Sequence, residues 1–186
     1  MTVTTLDPKS ALIVVDLQKG IVSLPTAHPI ADVVTHVGAL TEAFRGHGCP
    51  VVLVNVAGAA PGRTEQPRGH RDLPAGWTDL IPELNRQSQD HVVTKHTAGA
   101  FTNTDLEAHL RAKGVTQVVI AGVATSNGVE VTARQAYELG FNVTLATDAM
   151  TDLHADAHAY SITSVFPRIG ETGTTQEIID LLKRSA

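Results

Sequence analysis

Short continuous apolar runs alternate along this chain with longer stretches whose apolar positions recur at helical spacing, the pattern of a parallel sheet covered by helices on both faces. Ala11-Leu12-Ile13-Val14-Val15 is of strand length, ends at Asp16, and reads as a buried central strand. From Ala31 to Arg45 the positions Val33, Val37, Leu40 and Phe44 predict a helix, stopped by Gly46 and Gly48. Further strands are expected from Val51 to Val56, His91 to Lys95, Gln117 to Ala121 and Asn142 to Ala146, with Gly122 breaking the fourth, and a short sixth strand near Ile169. Thr104-Asp105-Leu106-Glu107 has the capping-box pattern, Glu107 reaching back to the cap amide and Gly114 closing the helix. A helix from Ser126 to Leu139 buries Val129, Ala133 and Ala136 and ends at Gly140, and another is expected from Asp156 to Phe166. Thr174-Thr175-Gln176-Glu177 is a second capping box, opening a terminal helix with Ile178, Ile179, Leu181 and Leu182 on its inner side. Ala57 to Gly76, with Pro61, Pro67, Pro74 and four glycines, has no period and reads as a long loop of the functional kind.

Six parallel strands with right-handed crossovers take the order 3-2-1-4-5-6 most simply, a three-layer Rossmann-like α/β fold in one domain over residues 1–186. That order puts strands one and four side by side at the topological switch point, where ligands bind. Asp16, Lys95 and the turn from Gly122 to Gly128 stand at the ends of strands one, three and four, so they should converge. Asp16 alone reads as a turn residue and Lys95 alone as a side chain that reaches out to water. Together at one sheet edge they form a couple suited to proton transfer.

Composition narrows the chemistry. The 186 residues carry a net charge of -5, 42% hydrophobic and 4% aromatic residues, with only 14 Lys and Arg, so a nucleic-acid partner is not expected. No apolar run is long enough for a membrane span and no secretory leader is legible, so a cytoplasmic location is expected. Cys49 is the single cysteine; it rules out an intramolecular disulfide framework and any zinc site with two thiolates. A small-molecule substrate is the leading expectation.

Asp16 in Val-Val-Asp-Leu-Gln, Lys95 in Thr-Lys-His-Thr-Ala-Gly-Ala-Phe, and the run from Gly122-Val123-Ala124-Thr125 through Ser126-Asn127-Gly128-Val129 to Ala136 give the chain its resemblance to the isochorismatase-like hydrolase superfamily. The similarity extends from about Ala11 to the terminal helix. In most members the position of Gly128 holds a cysteine nucleophile, whereas true isochorismatases, which this chain resembles in that departure, carry glycine there. Cys49, between Gly48 and Pro50, is expected far from the site as a small buried apolar residue, so thiol catalysis is not available.

The resemblance implies acid-catalysed cleavage of a vinyl ether, with Asp16 protonating the enolpyruvyl methylene and Lys95 assisting. Lys95 pulls the acidity of Asp16 the wrong way for that task, so burial must win. The amides of Asn127, Gly128 and Val129 are expected to cradle an anion, with Val123, Ala124 and Phe101 lining the site and a cis peptide between Val123 and Ala124. Arg63, Arg68 and Arg71 of the long loop are candidates to pair with substrate carboxylates. The chain reads Asn55-Val56-Ala57-Gly58 where true isochorismatases carry a Gln-Pro pair, and between Val51 and Gly69 it has nothing of the form Asp-x-His that holds zinc after the second strand in nicotinamidases. Asp152-x-His154 with His158 imitates that motif after the fifth strand and is expected to face solvent. No metal and no cofactor is expected. Trp77 is expected to pack a lid or a subunit contact, and the family resemblance implies a homodimer or homotetramer. Two other readings stay open: a silent member that binds a metabolite or partner, and an amidase using Ser126, Thr125 or an activated water, although both side chains suit helix caps better.

Overall fold

The computed structural model describes residues 2–65 and 73–184. Its strands are β1 (Ser10–Val15), β2 (Val51–Val56), β3 (His91–Lys95), β4 (Gln117–Val123), β5 (Asn142–Thr151) and β6 (Glu171–Gly173). All pair in parallel, in the order β3-β2-β1-β4-β5-β6, as right-handed crossovers require. The helices are α1 (Lys19–Val22), α2 (Ile30–Gly46), α3 (Leu106–Ala112), α4 (Glu130–Glu138), α5 (Ala155–Tyr160) and α6 (Thr175–Arg184).

Continuous apolar strands are explained by burial on both faces. Ile13, Val15, Val52, Val54, Val118 and Ile120 belong to the layer that holds Leu106 and Leu110 of α3 and Ala133 and Ala136 of α4. The alternate residues Leu12, Val14, Leu53, Val119 and Ala121 belong to the opposite layer, with Val33, Val37, Leu40 and Phe44 of α2 and Ile178 and Leu182 of α6. A fully buried Leu, Ile, Val or Phe contributes about 1.5–3 kcal/mol. Packing therefore holds α3, which at seven residues is too short to be helical alone.

The structure corrects several local expectations. Gly122 does not break β4, which continues to Val123. Its φ of +118° brings the strand so close to β1 that a Cβ there would lie 2.1 Å from the Val15 carbonyl oxygen. β5 runs on past Ala146 to Thr151, because the β4–β5 register slips between Ile120 and Gly122 and resumes at Gly122↔Met150 and Val123↔Thr151. The residues in the slip include Asp148, whose Oδ1 accepts from the Thr175 N–H at 2.7 Å and the Thr175 hydroxyl at 2.9 Å at the start of α6. A polar residue inside a strand thus serves a helix end. The helix expected from Ser126 opens as a π-helical turn, Thr125–Val129, and the one expected to reach Phe166 becomes a second such turn, Ser161–Val165, after α5.

The first capping box does not form. Asp105, not Thr104, occupies the cap position of α3 and makes no side-chain cap bond, while Glu107 pairs instead with Arg111 at 3.6 Å. With the helix starting one residue later than the pattern implies, Glu107 is out of phase with the cap amide. The second box does form: Glu177 Oε2 accepts from the Thr174 N–H at 2.8 Å, and Thr174 Oγ1 accepts from the Glu177 N–H at 3.3 Å. Thr174→Ala is expected to cost about 1 kcal/mol, read as a lower urea midpoint with an unchanged slope; an unchanged midpoint would show that α6 does not depend on this cap.

Candidate functional site

Val15, the last residue of β1, pairs with Gly122 of β4, and β4 ends one residue later at Val123. Asp16 follows β1 with a left-handed φ of +52°, a conformation Asp adopts more readily than most residues. Lys95 ends β3, and its Nζ lies 2.9 Å from Asp16 Oδ2 and donates to the Ala98 carbonyl at 2.5 Å. Both side chains are buried, Lys95 to 1% exposure and Asp16 to 6%. Asp16 Oδ1 is buried without a hydrogen-bond partner.

Burial is the largest influence on Asp16 and pushes its pKa up to about 6, against the opposing pull of the Lys95 ammonium and its hydrogen bond. The conflict anticipated between the two residues is therefore resolved in favour of desolvation. Gly128 completes the group from the π-helical turn. A Cβ built on it would lie 3.1 Å from Asp16 Oδ2, 3.2 Å from Lys95 Nζ and 3.0 Å from Val15 Cγ1. The backbone at 128 thus faces the carboxyl and the amine directly, with no side chain interposed.

Around this centre the expected lining residues fare differently. Val123 is buried and Ala124 half-buried, and the peptide bond between them is cis. The amides of Asn127 and Val129 both donate to the Ala124 carbonyl, at 3.0 and 3.1 Å, so two of the three expected cradle donors are consumed by the turn itself. Phe101 is half-buried and packs against the core, its ring 6.1 Å from that of Phe141. Phe101 is thus turned toward the core and toward Phe141, which directly precedes β5. Arg63 is exposed, and Arg68 and Arg71 lie outside the described residues.

Asp152 and His158 do not face solvent. Asp152 is buried beyond β5, its Oδ2 accepting the Ser126 N–H at 2.7 Å and its Oδ1 the Leu153 N–H at 2.8 Å. His158 Nδ1 sits 2.8 Å from the hydroxyl of the fully buried Thr125, and its ring lies 4.5 Å from that of His28. Burial, joined by His28 and opposed by Asp152, lowers the His158 pKa. Thr125 and Ser126 are thus not helix caps; they anchor the π-helical turn to β5 and α5. His154 alone of the three is exposed.

Cys49 is only half-buried, ahead of β2 and against the α2 side of the core, so it stands at the opposite end of the strands from Asp16. Trp77 packs within its own chain: its indole covers Gly20, where a Cβ would come within 2.1 Å of Nε1. The residue that pattern reading passed over is Gln18, fully buried two positions beyond Asp16. With Asp16 two residues before it and Lys19 directly after it, Gln18 reads in the sequence as one more polar residue of a turn.

The Isochorismatase domain family matches residues 10–177. The chain is 38% identical over 182 residues, 94% of this chain and 95% of its counterpart, to the uncharacterised isochorismatase family protein YwoC of Bacillus subtilis (strain 168). It superposes with a TM-score of 0.92 on an isochorismatase family protein from Burkholderia thailandensis, 40% identical over 96% of this chain and 98% of that one. A cysteine hydrolase from Pseudomonas syringae pv. phaseolicola 1448A superposes at 0.84 with 26% identity, covering 100% of this chain and 98% of its own. Sequence match, sheet order and switch-point geometry agree: the chain belongs to the isochorismatase family of hydrolases.

Proposed function

We propose that this chain hydrolyses a small anionic metabolite without a cysteine nucleophile, by acid-catalysed opening of a carboxylated vinyl ether with Asp16 as the proton donor. The observation that carries this reading is Gly128, whose backbone stands against the Asp16–Lys95 pair with no nucleophile between them. The buried Asp16 Oδ1, which has no hydrogen-bond partner, adds a place for a proton on the carboxyl oxygen other than the one Lys95 approaches.

The chemistry needs an acid and water only. Asp16 transfers its proton to the terminal methylene carbon of the enol ether, forming a C–H bond and leaving an oxocarbenium ion. Water adds to the cationic carbon and returns a proton to the Asp16 carboxylate. The resulting hemiketal collapses, its C–O bond breaking to release an alcohol and a 2-keto acid. Lys95 holds the Asp16 carboxylate that exists from proton transfer until water returns the proton, and the Gly128 amide and the Val123–Ala124 edge are assigned to the substrate carboxylate.

A panel of enol-ether carboxylates and primary amides tests the reading. Keto-acid release from the enol ethers is the expected result. Because the acid must be protonated in the free enzyme, kcat/KM should be level below about pH 6 and fall about tenfold per unit above it. A rate that instead rises through pH 6 would overturn the assignment of Asp16 as an acid. Amidohydrolases match over 45% and 54% of the chain, which supports amide hydrolysis as the second reading. Its signature would be ammonia without keto acid, lost in Ser126→Ala. Binding of panel members in a thermal-shift assay with neither product would mark a silent member.

A further inference from the structure

We propose that Gln18 is a positioning residue for Asp16: its carboxamide replaces the missing continuation of β1 and holds the carboxyl in place against Lys95. The inference rests on the role assigned to Asp16 above, and it concerns how the fold presents that group.

The left-handed φ at Asp16 turns the main chain out of the sheet just where the ladder with β2 has more to pair. The Asp16 N–H still donates to the Val54 carbonyl at 2.9 Å. In an uninterrupted parallel ladder the N–H and C=O of Val56 would pair next with the main chain of β1. Here the Asp16 carbonyl is taken by the Gln18 N–H at 2.9 Å. The side chain of Gln18 fills the gap: Oε1 accepts the Val56 N–H at 2.7 Å, and Nε2 donates to the Val56 carbonyl at 3.1 Å. A side-chain amide is thus paired as a peptide group would be.

Nε2 also donates to the Trp77 carbonyl at 3.3 Å, which accepts the Gly20 N–H at 3.0 Å as well. The segment after Trp77 continues this closure, Lys19 N–H donating to the Asp79 carbonyl and Ile81 N–H to that of Leu17. Val56 is in turn the register partner of Lys95. One fully buried side chain therefore ties the turn that carries the acid to the strand end beside the amine, and to the Trp77 segment. Removing it leaves the Val56 N–H and C=O in search of water at that spot.

The titratable neighbours are few. Lys95 approaches Asp16 from β3, Lys19 and Asp79 pair with each other at 2.9 Å on the exposed side of Gln18, and exposed His96 follows Lys95. The π-helical turn contributes Gly128, which has no charge. Desolvation dominates the acidity of Asp16, so loosening this clamp should register there first.

The test is an NMR titration of Asp16 in protein labelled with carboxyl-13C aspartate, in the parent, in Gln18→Met and in Gln18→Glu. The parent should titrate near 6. Met has the length of Gln and none of its hydrogen bonds, so water reaches the turn and the Asp16 midpoint should fall by about one unit, with kcat reduced and KM little changed. Should the Met variant not fold, Glu keeps an acceptor for Val56 and, while protonated, a donor. As it ionises it places a second negative charge beside the turn, and the Asp16 midpoint should rise. A folded Met or Glu variant whose Asp16 midpoint equals that of the parent overturns the proposal. The titration needs no substrate, so an inactive parent would overturn the proposed reaction while leaving this inference standing.

Discussion

Asp16→Asn is expected to lower enol-ether turnover by a factor of about 10²–10⁴ while the protein remains folded, the usual worth of a positioned general acid. Asn has nearly the shape of Asp and tolerates the left-handed φ of +52° at this position. Its carbonyl can still accept from the Lys95 ammonium, 2.9 Å away in the parent. What it lacks is a transferable proton. Comparing the two proteins against pH gives an independent reading. The folded-state pKa of Asp16 is raised from 3.8 to about 6, so its contribution favours the fold below about pH 4 and is lost as pH rises through about 6. The unfolding free energy of the parent relative to the Asn variant should therefore decline over that window, by on the order of 3 kcal/mol. Equal turnover in the two proteins would remove Asp16 from the mechanism, and a flat stability difference would mean that burial does not govern its acidity.

The largest effect on folding is expected from Gly122→Ala. Gly122 has a φ of +118°, and a Cβ there would lie 2.1 Å from the oxygen and 2.7 Å from the nitrogen of Val15. Both are main-chain atoms of the central strand, so no side chain can swing aside to make room. The strand pair must separate at the switch point, and the loss should exceed about 3 kcal/mol, enough to leave a domain of ordinary stability largely unfolded. Gly114→Ala is the control: its φ is +69°, but nothing lies within 4 Å of the added carbon. There the cost should be about 1 kcal/mol, that of the backbone conformation alone. Urea unfolding of both variants checks the contrast, and a Gly122→Ala protein as stable as Gly114→Ala would mean that β1 and β4 do not approach so closely.

These two residues show how the site is assembled from ordinary folding forces. The close approach at Gly122 brings β4 against β1, and the turn after β4 then lays Gly128 over the pair formed by Asp16 and Lys95. The cost of burying a carboxylate there is what raises its pKa into a range useful for acid catalysis. The same desolvation makes the pair sensitive to any loss of packing around it.

By itself, the sequence determined the strands of the central sheet, their order and the convergence of Asp16 with Lys95. Apolar runs report burial on both faces, and the crossover rule then leaves little freedom in topology. Only the tertiary structure decided the slip that extends β5, the turn of Phe101 toward the core, and the capture of Thr125 by His158. It likewise decided that the amides of Asn127 and Val129 serve Ala124, and that Gln18 completes the ladder of Val56. Each of these depends on which polar group meets which across the folded chain. Hydrophobic periodicity records the side on which a residue lies, whereas hydrogen-bond partners distant in sequence are chosen only when the sheet and its layers bring them together.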